Sequence, residues 1–187
     1  DVWEQFVFVR TSPEGPALGE FLAGLAAQAA PLGLSRLHFL ERRVYRFDSN
    51  WKVFVDNYLD GGYHIPFLHK GLDSVLEYAS YTIENGERHC LQKSPMRDSG
   101  HDAATAAVRA GAEAFYFWLY PNFMVNWYEG IMDKNLVRPL GLDRTEVVFD
   151  FYFADDSPDA RARNLASIEV GQRIQDEDTG ICASVQR

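Results

Sequence analysis

Residues 114–153 read AFYFWLYPNFMVNWYEGIMDKNLVRPLGLDRTEVVFDFYF. Four runs rich in aromatic and β-branched residues, 114–120, 122–129, 131–138 and 144–153, are parted by turn residues such as Pro121-Asn122 and Gly141-Leu142-Asp143. Runs of this length with turn-sized gaps pair with their chain neighbours, so the stretch predicts an antiparallel meander. Ser157-Pro158 then opens a long helix, from about 158 to the end, because proline is tolerated in a first helical turn where its missing N–H is not needed. The class expected is α+β: an antiparallel sheet with helices on one side and a long C-terminal helix laid across it. Such a helix over a curved sheet encloses a deep cavity that suits small, partly apolar ligands.

Working back toward the N-terminus, Asn85-Gly86 marks a hairpin between YTIE and ERHCLQ. Residues 96–112 form an Ala/Asp/Gly-containing excursion expected to be mobile. Strands are expected at 3–9 and 36–47, with an Ala/Leu-rich helix at 18–29 stopped by Pro31 and Gly33. A helix at 49–59, with Ser49 or Asp48 as its N-cap, is interrupted by Gly61-Gly62. A second helical piece carries Tyr63 to about Lys70, and a short helical turn follows at 72–78.

The 187 residues carry a net charge of −9, which opposes binding to nucleic acid. No apolar run approaches bilayer-spanning length, so no membrane partner is expected. Cys90 and Cys182 form no CxxC and no disulfide framework. They are expected to be buried small hydrophobes in a reducing compartment, the cytoplasm.

The segment from Asn50 to Gly71, NWKVFVDNYLDGGYHIPFLHKG, concentrates polar chemistry in an apolar setting. His64 and His69 are five apart, which on a regular helix would point them about 140° from each other. Pro66 lies between them and loosens the turn, so that both imidazoles can face one ion. Asn57 and Asp60 precede His64 by seven and four residues, giving a polar stripe if the helix survives the glycines. Asp60 can orient an imidazole, ligate, or carry a proton. The competing reading is a solvated polar face with surface histidines. Late in the chain, Gln175-Asp176-Glu177-Asp178 offers a carboxylate. Two histidines and one carboxylate form a facial set with open positions, which suits Fe(II). Asp178 is preferred because it precedes the apolar Ile181-Cys182. Glu177 and Asp176 remain alternatives.

These residues carry a resemblance. NWKVFVDNYLDGGYHIPFLH is similar to the mononuclear-iron motif of Rieske oxygenase alpha subunits, the ring-hydroxylating dioxygenase superfamily. The matching positions are Asn50, Trp51, Lys52, Asn57, Tyr58, Tyr63, His64 and His69. QDEDTGICASVQ resembles the segment that supplies the family's carboxylate ligand, carried here to Asp178. VWEQFVFVR resembles the strand that follows the Rieske domain, and NYLDGGYH is nearest in wording to the choline monooxygenase branch, which oxidises quaternary ammonium compounds.

The resemblance implies a helix-grip fold of the START and Bet v 1 type, and metal ligands His64, His69 and Asp178 with Asp60 and Asn57 beside them. It implies Fe(II)-dependent O2 activation, giving hydroxylation, dihydroxylation or oxidative demethylation of an aromatic or quaternary ammonium substrate. Electrons come from NAD(P)H through a reductase and a [2Fe–2S] Rieske cluster, in a trimer of intact chains.

Two departures stand out. The CxH and CxxH pairs that hold a Rieske cluster do not occur here. Residues 1–187 are therefore expected to be the iron domain of a longer protein, not competent for turnover alone. And where the family commonly has an acid three residues before the first histidine, bridging to the Rieske histidine of a neighbour, this chain has Gly61, with Asp60 one step earlier.

Two other classes remain open: a non-catalytic small-ligand carrier of the same fold, and a metal hydrolase. His38, His89 and His101 have no partner motif and are expected to be structural or exposed. Trp118, Tyr120, Trp127 and Tyr128 are expected to pack in the sheet, with any inward-facing member available to a substrate pocket or to an ammonium cation.

Overall fold

The computed structural model describes residues 1–97 and 102–187. The chain opens with β1 (Val2–Trp3) and β2 (Phe6–Val7), paired antiparallel. Glu4 turns the chain with φ +53°, so the expected single strand at 3–9 is instead a minimal hairpin. The helix expected at 18–29 is present but divided at Leu22 into α1 (Leu18–Phe21) and α2 (Ala23–Ala29). β3 (His38–Phe47) follows, then α3 (Trp51–Leu59), α4 (Ile65–Leu68) and α5 (Lys70–Val75).

The remaining strands are β4 (Thr82–Asn85) and β5 (His89–Pro95), then β6 (Glu113–Leu119), β7 (Phe123–Tyr128), β8 (Ile131–Pro139) and β9 (Thr145–Phe153). Between β5 and β6 lies α6 (Ala103–Ala106), capped by the Asp102 carboxylate, which accepts from the Thr105 N–H at 2.8 Å. Part of the excursion at 96–112, including His101, lies outside the described residues. α7 (Arg161–Val185) ends the chain.

Seven strands form one antiparallel sheet in the order β3-β9-β8-β7-β6-β5-β4. Chain neighbours pair from β4 to β9, and β3 closes onto β9. Strand alternation sends successive side chains to opposite faces, and both faces are covered. Phe117, Leu119, Val125, Met132 and Tyr152 pack under Leu22, Leu25 and Ala29 of the N-terminal helices. The opposite parity, Met124, Val137, Val147, Phe149, Phe151 and Phe153, packs against Phe54 and Val55 of α3 and Ile168 and Cys182 of α7. The expectation of helices on one side is therefore corrected. Because β6 to β9 are apolar at both parities, they must be covered twice, and the N-terminal segment is the second cover. Each large side chain removed from water in these layers contributes roughly 1.5–3 kcal/mol. The face under α3 and α7 is the one that holds the functional cavity.

Candidate metal centre

Helix α3 begins with Asn50 as its cap, not Ser49 or Asp48. The Asn50 Oδ1 accepts from the Lys52 N–H at 3.0 Å, while its Nδ2 donates to the Leu142 carbonyl at 2.7 Å and its N–H to the Gln186 side chain at 2.8 Å. The Asn50 side chain thus starts the helix and ties it to the β8–β9 turn, while its backbone N–H ties it to the residue after α7. Fixed in this way, α3 presents Asn57 and Tyr58 toward the sheet.

The helix stops at Leu59, and the chain turns through Gly61 (φ +76°) and Gly62 (φ +69°). Residues with a Cβ are disfavoured there. At Gly62 a Cβ would also sit 3.0 Å from Ile65 Cδ1 and 3.1 Å from the Tyr81 ring. This backbone explains why no acid stands at position 61. Asp60 meets His64 instead, through a turn and not along a helical face. Its Oδ1 accepts from the Tyr63 N–H and its Oδ2 from the His64 N–H, both at 3.1 Å, and Oδ2 lies 2.7 Å from His64 Nδ1.

α4 is a single turn with His64 before it and His69 after it. Pro66 lies in its first turn, so it initiates this turn and does not kink a longer helix. His69, at φ −96° and ψ 69°, is outside helical geometry, and helical-wheel spacing does not apply. The two imidazole centroids are 4.9 Å apart, with their planes at 80°.

α7 brings the acid. Its buried residues Asn164, Ser167, Ile168, Gln175, Asp178 and Cys182 share one face, with Val170 off to its side, and four of those six are polar. Asp178 Oδ1 lies 3.1 Å from His69 Nε2 and accepts from Asn57 Nδ2 at 2.9 Å. Gln175 Nε2 donates to Asp178 Oδ2 at 3.3 Å. Glu177 Oε2 lies 2.6 Å from His69 Nδ1, on the far side of that ring. Asp176 is exposed and accepts from Gln172. Ile181 is also on the exposed side, and Cys182 supplies the inward turn. Burial pulls the His69 pKa down, but hydrogen bonds and charge from Asp178 and Glu177 outweigh it, so the net shift is upward.

One donor atom from each of His64, His69 and Asp178 falls within 4.8 Å of the other two. Two donors about 2.1 Å from one ion can be at most about 4.2 Å apart, so small torsions close this set on a metal. The donor chemistry, two imidazoles and a carboxylate, fits a non-heme Fe(II). With each Nδ1 facing a carboxylate, Nε2 is the nitrogen left to ligate on both rings.

These groups line a cavity of ≈ 100 Å³, room for several water-sized groups. Its sheet side carries residues that no sequence motif had singled out: Gln92, Tyr116, Asn126, Asp133 and Asn135, with Arg109 reaching in from the loop after α6. The signal for them was a polar side chain sharing parity with buried apolar ones, as Asn126 does with Met124 and Tyr128. Of the four meander aromatics, only Tyr128 lines the cavity. Trp127 packs on the opposite face, Tyr120 is exposed, and Trp118 donates to the Pro121 carbonyl. His38 is exposed beside Asp156, His89 bonds Gln28, and neither approaches the centre. Both cysteines are buried and unpaired.

The family model described as ring hydroxylating alpha subunit (catalytic domain) matches residues 34–187. A chloroplastic choline monooxygenase of Arabidopsis thaliana is 39% identical across 100% of this chain and 46% of its own length. The carnitine monooxygenase oxygenase subunit of Escherichia coli (strain K12) is 27% identical across 97% of this chain and 49% of its own. Among solved structures, a quaternary ammonium Rieske monooxygenase in complex with its substrate L-carnitine superposes with a TM-score of 0.79 at 26% identity. That alignment covers 99% of this chain and 49% of the other. The chain spans about half the length of the curated relatives it matches.

Proposed function

This chain belongs to the ring hydroxylating alpha subunit (catalytic domain) family, and from that premise we propose that it holds one Fe(II) through His64, His69 and Asp178 and oxidises a small quaternary ammonium compound. The observation that carries this reading is the convergence of those three donors on a cavity walled by Tyr58, Tyr81, Tyr116, Tyr128, Phe149 and Phe151. A ligand carrier has no use for such a convergence. The relatives named as choline and carnitine monooxygenases support the substrate class.

Iron bound here supplies reductive activation of O2 for hydroxylation or oxidative demethylation. The chain's own residues prepare the site. Asp60 and Glu177 accept the Nδ1 protons of His64 and His69, which fixes the tautomers and turns both Nε2 lone pairs to one point. Asn57 and Gln175 hold the two oxygens of Asp178. The aromatic walls exclude water and offer ring faces to an alkylammonium group.

Asp60, with its side chain 28% exposed, is the acid placed to receive a Rieske histidine from a neighbouring chain and relay to His64. The reading further includes a Rieske [2Fe–2S] domain outside these residues, a reductase drawing on NAD(P)H, and a trimer of intact chains. It also includes a helix-grip sheet closed by α7, and a reducing compartment such as the cytoplasm, consistent with unpaired Cys90 and Cys182.

Anaerobic loading of the purified chain with Fe(II), followed by metal analysis, tests the ligand set. About one iron per chain is expected, falling at least tenfold in His64→Ala and in His69→Ala. Iron content unchanged by both substitutions would overturn the assignment.

A further inference from the structure

The sheet wall of the cavity carries a carboxylate that the metal centre does not use. Asp133 lies near the start of β8, in register with Asn126 on β7 and Phe151 on β9, and is only 6% exposed. Its Oδ2 accepts from Asn126 Nδ2 at 2.8 Å, and Asn126 in turn accepts from the Tyr58 hydroxyl at 2.7 Å. Neutral amides satisfy the oxygen's lone pairs but bring no opposite charge into contact with it. Among the described residues, no lysine, arginine or histidine nitrogen comes within 4.0 Å of it.

Arg109 is a buried cation on the same cavity. Its guanidinium lies 4.9 Å from the centroid of the Tyr128 ring and donates to Ser167. It lowers the Asp133 pKa from a distance without pairing. Burial prevails, and the Asp133 carboxyl is pushed up to about 6. A buried charge without a partner costs free energy, and such a group in a cavity is expected to meet its counter-charge there.

The chemistry of that counter-charge follows from the surroundings. A primary ammonium needs hydrogen-bond acceptors. A quaternary ammonium has no N–H, and needs only negative charge and polarisable surface. Asp133 offers a charge already engaged by an amide, beside the rings of Tyr116, Tyr128, Phe149 and Phe151, which line the same cavity.

We propose that Asp133 is the counter-charge for the cationic head of the substrate, a binding residue on the sheet wall that selects an ammonium over its neutral isostere. This rests on the quaternary ammonium reading given above. Calorimetry on the purified chain at pH 8, without O2, tests it with choline, L-carnitine and 3,3-dimethylbutan-1-ol, the neutral carbon isostere of choline. The wild-type chain is expected to bind choline at least tenfold more tightly than the isostere. In Asp133→Asn the two affinities should come within about twofold, with the isostere's own affinity and the iron content little changed. If Asp133→Asn does not fold, as judged by its thermal melt, Asp133→Ser should show the same collapse. A preference retained in the folded variant overturns the proposal and leaves the substrate class standing. Failure of the wild-type chain to bind either ammonium overturns the substrate class, and the proposal with it.

Discussion

Asp133 and Asp150 lie on neighbouring strands of one sheet, on opposite faces, and meet opposite electrostatic conditions. Asp150 points to the face away from the cavity. Its oxygens are held by Arg42 Nε at 2.5 Å and Lys134 Nζ at 2.7 Å. Burial raises its pKa, but the hydrogen bonds and charges of those two cations outweigh it, and the net shift is downward. Asp133 is likewise shielded from solvent but lies deeper among protein atoms, its hydrogen-bonding neighbours are amides, and its pKa moves upward. The difference separates a carboxylate whose partners are built into the fold from one whose partner must arrive. It also shows that burial of an acid is a poor guide to its role until its partners are counted.

The largest expected effect tests the built-in partner. Asp150→Asn leaves Lys134, 11% exposed, without its counter-ion. Removing one member of a fully buried pair costs about 3–5 kcal/mol, and because Arg42 is largely exposed the loss here should be nearer 2–3 kcal/mol. Urea denaturation at pH 7 measures it. A loss below about 0.5 kcal/mol would erase the contrast between the two aspartates. The native carboxyl of Asp150 titrates below its unfolded value of 3.8. Its contribution is therefore present above that pH and fades as the pH falls through the native pKa.

Asp133→Asn should act in the other direction in the ligand-free chain. Its native pKa, about 6, stands above the model-peptide value of 3.8. The native state therefore binds more protons between those values, and stability falls as the pH rises through them. The substitution removes that penalty. It should stabilise the ligand-free chain by about 1–3 kcal/mol at pH 8 and by almost nothing near pH 3.5. Thermal melts of both proteins at the two pH values decide it, and equal differences at both would show that the charge is not the cause.

The smallest effect sharpens the description of the cavity wall. The Tyr116 and Tyr128 hydroxyls are 2.9 Å apart and buried. Tyr128→Phe leaves Tyr116 short of a partner, at a cost of about 1 kcal/mol, while keeping the ring face. Choline binding should then change less than twofold. A large loss would assign the cation to the hydroxyl pair and not to the carboxylate and rings.

The outline of the fold was legible because its signals are local. Turn residues at 121–122 and 141–143 and β-branched runs between them predict β6 to β9 close to their observed bounds. The histidine pair was legible for a similar reason: Gly61-Gly62 and Pro66 mark a break, and a break is what lets residues five apart face each other. The cap of α3 was displaced by one residue, since Asn50 is held by the Leu142 carbonyl and Gln186, contacts more than 90 residues away. The N-terminal strand became a hairpin, and α1 and α2 went to the far face, because covering a doubly apolar sheet is a tertiary requirement. In β8, Asp133 and Lys134 are equally polar letters, and alternation assigns them opposite faces without saying what awaits on either.

By itself the sequence determined the order of elements, the meander and its closing helix, and a pair of imidazoles at a helix break. These depend on backbone preferences and side-chain period within a dozen residues. Only the tertiary structure decided that Asp178 meets His69 at Nε2 and joins the two imidazoles in one donor set while Glu177 meets the same ring at Nδ1 and Asp176 stays exposed, that Asp60 reaches His64 around two left-handed glycines, and that Asp133 has no cation in contact among the described residues. Those outcomes depend on which side chains from distant segments share a low-dielectric space, and that is set by packing.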